Sequence, residues 1–127
     1  MSDAKRTVLI VDDEPDVVTY LSSLLEDHGY ATLAARDGNE ALEKVRAAPP
    51  DLITLDITMP EASGVGFYRA VKQDDRLKRI PVVIVTGISE DFRRFISTRR
   101  QVPPPEGYVS KPIDAGEMLK LVASLTA

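Results

Sequence analysis

Cysteine is absent from the 127-residue chain, so neither a disulfide nor a thiolate metal site is open to it. Histidine occurs once, as His28, just before Gly29 at the end of a helical pattern, where it reads as a C-terminal cap rather than a metal ligand or phosphate donor. Long apolar runs are missing as well: Val82 to Val85 with their neighbours fall far short of the roughly 20 residues of a membrane span. The opening Met1-Ser2-Asp3-Ala4-Lys5-Arg6 passes straight into a strand pattern without the apolar core of a signal peptide. The expectation is a cytoplasmic protein with no membrane insertion. A positive surplus is also lacking, and a formal net charge of −4 disfavours direct binding to nucleic acid. There is no internal repeat and no low-complexity tail. A single domain over residues 1–127, large enough to bury a core without staples, is expected.

What is present is an alternation of strand and helix patterns. Thr7 to Val11 is a continuous apolar run of the kind found in parallel sheets buried on both faces, and it leads into Asp12-Asp13-Glu14-Pro15-Asp16. Val17, Leu21, Leu24 and Leu25 then recur at helical spacing, with Pro15 and acids at the start and His28-Gly29 at the end. Tyr30 to Ala34 forms a short strand. Asp37 is placed to cap the next helix, with Glu40 at the reciprocal capping-box position and Ala41, Leu42 and Val45 on its apolar side. After the breaker Pro49-Pro50, the run Leu52-Ile53-Thr54-Leu55-Asp56-Ile57-Thr58-Met59-Pro60 is too short for a buried helix and rich in β-branched residues. It reads as a strand that delivers Asp56 at its end and stops by Pro60.

Val65, Tyr68 and Val71 mark a third helix, and Pro81 to Val85 a fourth strand ending at Thr86-Gly87. A fourth helix, Ser89 to about Arg100, carries Phe92, Phe95 and Ile96 among Arg93, Arg94, Arg99 and Arg100, and is cut off by Pro103-Pro104-Pro105. The strand Tyr108 to Ser110 leads to Lys111-Pro112, and Met118, Leu119, Val122 and Leu125 make a closing helix. Five strands alternating with five helices predict an α/β fold, a doubly wound parallel sheet with right-handed crossovers and helices on both faces. In such a fold the carboxyl ends of all strands share one edge. Asp12, Asp13, Asp56, Thr86 and Lys111 can therefore meet there.

Carboxylates gathered this way repel by about 4 kcal/mol per pair at roughly 4 Å and an effective dielectric near 20. Lys111 offsets part of that, and a hard divalent ion offsets the rest. Mg²⁺ suits the set because it takes one or two carboxylates and keeps positions for water and a phosphoryl oxygen. An ammonium, a hydroxyl and the Gly87 amide beside the ion make a cradle for a phosphoryl group, and a carboxylate is an accepted phosphoryl nucleophile. The chemistry indicated is aspartyl phosphorylation.

These residues also resemble a family. Asp12-Asp13 after the first strand, Asp56 with Met59-Pro60 after the third, Thr86-Gly87 after the fourth, and Tyr108 followed three residues later by Lys111-Pro112 are similar to the receiver domain of two-component response regulators, of the single-domain chemotaxis type. The resemblance covers nearly the whole chain. It implies a flavodoxin-like five-stranded sheet of order 2-1-3-4-5. It implies that Asp56 accepts a phosphoryl group from a sensor histidine kinase or a histidine phosphotransfer protein. Asp13, Asp56 and the backbone carbonyl of Thr58 would ligate Mg²⁺ directly, and Asp12 largely through a water. Lys111 would pair with one phosphoryl oxygen and Thr86 with another, while Thr86 and Tyr108 move as a switch. The Lys111-Pro112 bond is expected to be cis. The phosphorylated form would bind a protein effector through the surface of the fourth helix, fifth strand and closing helix. The chain is thus expected to be a phosphoacceptor rather than an enzyme, assisting only its own phosphorylation and slow dephosphorylation. An apolar Ile88, at a position that tunes hydrolysis in the family, implies a slowly decaying phosphate.

Other readings attach to the same residues. Asp12, Asp13 and Glu14 also fit first-turn acids that complement a helix dipole, a role worth about 0.3–1 kcal/mol. The arginines of the fourth helix fit a solvated face as well as a docking patch, and Pro103 to Pro105 a stiff loop as well as a polyproline II ligand. Family members usually carry small residues along that helix and Gly-Ala before the fifth strand, so here the helix is expected to be short or displaced. A rival function is a Mg²⁺-dependent phosphohydrolase with an aspartyl-phosphate intermediate. Such enzymes resemble Asp-x-Asp after the first strand, whereas here Thr58 stands at the second position and the acceptor is on the third strand. Two further readings are a degenerate receiver used as a scaffold and a receiver cut from a larger regulator or hybrid kinase.

Overall fold

The computed structural model describes residues 5–56, 63–86 and 105–126. Within them, β1 (Thr7–Val11), β2 (Ala31–Ala35), β3 (Leu52–Asp56), β4 (Val82–Thr86) and β5 (Gly107–Ser110) form one parallel sheet in the order β2-β1-β3-β4-β5. Four helices accompany it: α1 (Pro15–Asp27), α2 (Gly38–Ala47), α3 (Ser63–Gln73) and α4 (Ala115–Thr126). The strand order is the one that the family resemblance implies. The helix expected from Ser89 to about Arg100 lies outside the described residues, as do Pro103, Pro104, Thr58, Gly87 and Ile88.

The period of two along each strand divides the core into layers. Leu9, Val11, Ile53, Leu55, Val82 and Ile84 face one way and pack with Ala41 and Val45 of α2 and Phe67, Tyr68 and Val71 of α3. Val8, Ile10, Leu52, Val83 and Val85 face the other way and pack with Leu21 and Leu25 of α1 and Met118 and Val122 of α4. Covering both faces explains why these strands read as unbroken apolar runs rather than alternating ones. Full burial of such a side chain contributes about 1.5–3 kcal/mol each.

Local chemistry sets the element ends. Pro15 opens α1 at its first turn. At its far end His28 is the C-cap, and its Nδ1 lies 2.9 Å from the Leu24 carbonyl oxygen. Gly29 follows at φ +91°, the left-handed conformation that favours glycine, and the Tyr30 amide donates back to Leu25 O at 3.0 Å. Tyr30 thus belongs to the helix cap. The second strand begins one residue later than the sequence suggests, at Ala31, whose amide donates to Arg6 O. At the start of α2, Asp37 Oδ1 accepts the Glu40 amide at 2.8 Å while Glu40 Oε1 accepts the Arg36 amide at 2.8 Å. This is the expected reciprocal cap, reaching one residue further back than the Asp37 amide.

One feature ties the molecule together at the amino ends of β4 and β5. Lys72 of α3, its side chain 1% exposed, places Nζ 3.0 Å from both carboxylate oxygens of Glu106. Glu106 Oε1 in turn accepts the Val82 amide at 2.8 Å. A single ion pair therefore joins α3, the first residue of β4 and the entry to β5. Gly107, next along, lies so close to α4 that a Cβ there would stand 2.8 Å from Leu121 Cδ2.

Candidate functional site

The register of the sheet assembles the candidate residues. Val11 pairs with Leu55, so the next positions, Asp12 and Asp56, lie side by side at the carboxyl edge. Asp56 pairs with Val85 and Thr86 with Ser110, which puts the end of β4 beside Asp56 and Lys111 just beyond the end of β5. The winding reverses between β1 and β3, the place where open α/β sheets form their crevice.

Asp12, Asp13 and Asp56 bring carboxylate oxygens within 4.8 Å of one another. Asp56 is 1% exposed and Asp12 2%, while Asp13 is open to solvent. Asp12 is held at both ends: its amide donates to Ala35 O at 3.0 Å, and its Oδ1 accepts the Glu14 amide at 2.9 Å. Burial raises the Asp12 carboxyl above its ordinary acidity range, with the Asp56 charge adding to the effect and the Glu14 amide and Lys111 opposing it.

Lys111 Nζ stands at the centre of the negative charge, 3.3 Å from Asp12 Oδ2, 3.4 Å from Asp56 Oδ2 and 2.8 Å from Glu14 Oε1. Burial works against its charged form, yet the hydrogen bond to Glu14 and the charges of Asp56, Asp12 and Glu14 outweigh that and raise its pKa well above the lysine range. Lys111 is therefore a fixed cation at any physiological pH. The Lys111-Pro112 peptide is cis, as expected.

Asp12, Asp13, Asp56 and Lys111 are thus gathered as the sequence predicts, and the backbone of Thr86 borders them. Thr58 and Gly87 fall outside the described residues. Tyr108 sits on β5 opposite Ile84, 36% exposed, roughly 10 Å back along the strand from Lys111 at the usual rise per residue. It does not enter the carboxylate cluster. The residue that sequence reasoning passes over is Glu14, read there as a first-turn acid; it makes the shortest contact to Lys111. Its signal is its place as the N-cap of α1, where it makes no side-chain capping bond.

The donor set suits a hard divalent cation: oxygens only, from carboxylates, with two of the three groups buried. It also presents a buried carboxylate facing an ammonium, an arrangement able to accept and hold a phosphoryl group.

A family model described as "Response regulator receiver domain" matches residues 8–123. The "Polar-differentiation response regulator DivK" of Brucella anthropi is 35% identical over 119 residues, covering 94% of each chain. "Protein Rrf1" of Nitratidesulfovibrio vulgaris is 36% identical over 91% of this chain and 78% of its own length. Among solved structures, the signal receiver domain of a signal transduction histidine kinase from Syntrophus aciditrophicus superposes with a TM-score of 0.84 at 31% identity, covering 95% of this chain and 89% of that one. The chemotaxis response regulator CheY4 of Vibrio cholerae gives 0.82 at 28% identity over 96% and 99%.

Proposed function

The chain belongs to the response regulator receiver domain family, and from that premise we propose that it is a phosphorylation-controlled signalling switch whose acceptor is Asp56. The observation that carries this reading is the buried Asp56 carboxylate at the sheet edge, facing Lys111 and clustered with Asp12 and Asp13. In the transfer, Asp56 attacks the phosphorus of a phosphohistidine on a sensor histidine kinase or histidine phosphotransfer protein. A P–O bond forms to the carboxylate, the P–N bond breaks, and the imidazole leaves with a proton. Lys111 holds a phosphoryl oxygen by charge and hydrogen bond, and the Thr86 hydroxyl and Gly87 amide hold the others. Asp12, Asp13, Asp56 and the Thr58 carbonyl are the residues that would hold Mg²⁺, which supplies positive charge against the phosphoryl oxygens. The domain is a phosphoacceptor rather than an enzyme.

Phosphorylation adds close to two negative charges and three acceptor oxygens at this edge. A shift from 1:99 to 99:1 between two conformations takes about 5.5 kcal/mol of differential stabilisation. Lys111 and the donors of Thr86 and Gly87 supply it in the phosphorylated form, to which a bound Mg²⁺ would add its charge. Thr86 and Tyr108 then pass the change to the surface of β5, α4 and the stretch between β4 and β5, where a protein effector binds. No helix among the described residues is long and apolar enough to cross a membrane, and the proposed location is the cytoplasm.

The test is incubation with acetyl phosphate and Mg²⁺, wild type beside Asp56→Asn. The wild type is expected to gain one acid-stable, base-labile phosphate and the variant none. Absence of an Asp56-dependent phosphate overturns the reading.

A further inference from the structure

Glu14 occupies the N-cap of α1, yet its side chain makes no capping bond. The Asp12 carboxylate holds its amide instead, at 2.9 Å, and leaves the Glu14 carboxylate to reach Lys111 at 2.8 Å. An ammonium has three N–H donors, and here it faces three carboxylates, Glu14, Asp12 and Asp56. A phosphoryl oxygen arriving on Asp56 needs one of those donors.

The three partners are not equally ready to yield. Asp12 and Asp56 have side chains 3% and 1% exposed and are fixed by the sheet edge. The Glu14 side chain is 59% exposed, so water can replace Lys111 around it at little cost. We propose that Glu14 is a positioning residue that holds Lys111 in a standby pose and competes with the phosphoryl group for it, so that binding at Asp56 must first displace the Glu14–Lys111 pair. This rests on the phosphoacceptor reading above and adds to it a residue that sets how readily the phosphorylated pose forms.

The test is an equilibrium one. Beryllofluoride, a non-covalent mimic of the aspartyl phosphoryl group, is titrated by NMR at saturating Mg²⁺ into wild type, Glu14→Gln and Asp16→Asn. Asp16 carries the same charge in the same turn and has no ion pair to Lys111. Glu14→Gln is expected to bind beryllofluoride about two- to fivefold more tightly, the range an exposed ion pair supports, and Asp16→Asn to match wild type. In a Lys111→Met background the Glu14→Gln gain is expected to vanish, which separates the contact from general charge. Equal affinities for wild type and Glu14→Gln, an equal gain from Asp16→Asn, or a gain that persists without Lys111 each overturn the inference. Acetyl phosphate labelling of Asp56 in the wild type is scored separately, so a failure of the phosphoacceptor reading is not confused with a failure of this one.

Discussion

Lys72 and Glu106 differ in how much water each recovers when its partner is removed. The Lys72 side chain is 1% exposed, whereas Glu106 is 34% exposed and keeps the Val82 amide as a donor. Removing the charge of Glu106 leaves an ammonium stranded among carbonyl oxygens of Lys78 and Ile80 at 3.4 Å. Removing that of Lys72 leaves a carboxylate still bonded and partly wet. Glu106→Gln is therefore expected to cost about 2–3 kcal/mol and Lys72→Met roughly 1 kcal/mol. Urea denaturation of both variants decides it, and a larger loss from Lys72→Met would contradict the argument. Neither this pair nor the Glu14–Lys111 pair is legible in the sequence. Lys72 follows Val71 in the stripe of Tyr68 and Val71, but nothing along the chain announces that Glu106, 34 residues on, will meet it. Asp12, Asp56 and Lys111 were legible for the opposite reason: each stands at a strand end, and strand ends of a parallel sheet converge whatever the loops between them do.

At the scale of elements, the start of α2 carries a pH dependence. The Arg36 amide bond, and then Lys44 and the Arg36 charge, outweigh partial burial and hold the Glu40 carboxyl below its ordinary value of 4.5. An acid shifted down in the folded state stabilises the fold above its unfolded pKa and loses that contribution as pH falls through the folded one. Glu40→Gln keeps the acceptor oxygen and removes the charge. At 34% side-chain exposure, solvent screening limits its expected cost to about 0.5 kcal/mol at pH 7, fading below about pH 4.5. Paired denaturation curves at pH 7 and about pH 3 check this, and a cost that stays constant between them would refute it. The elements themselves are largely legible. The strand Thr7–Val11 and the cap Asp37 stand where the pattern puts them, because a two-sided apolar run and a capping box are local signals. Tyr30 moved from strand to cap because Gly29 adopts a positive φ, and the reach of the turn that follows is not written in hydrophobic period.

At the scale of the whole molecule, the edge gathers more carboxylates than the one ammonium of Lys111 offsets. Asp13 is exposed and makes no ion pair with Lys111, so Asp13→Asn removes repulsion without removing that support. Without metal the variant is expected to be more stable than wild type by about 1 kcal/mol, the Coulomb energy of a pair near this separation in water-like surroundings. Mg²⁺ at a hundredfold excess over its Kd is expected to stabilise the wild type by about 2.7 kcal/mol and the variant by much less. Thermal unfolding with EDTA and with Mg²⁺ reads both differences; equal responses of the two proteins to Mg²⁺ would remove the assignment of Asp13 as a ligand.

Among the described residues, the sheet also separates two apolar layers that share no side chains. Leu21 and Leu25 of α1 lie in the same layer as Met118 and Val122 of α4, and Tyr30 and Thr126 bring their hydroxyls within 3.5 Å across it. The α2 and α3 side chains lie in the other. The helix α1, which follows Asp12, and α4 are therefore expected to open together in hydrogen exchange, while α2 and α3 loosen on their own schedule.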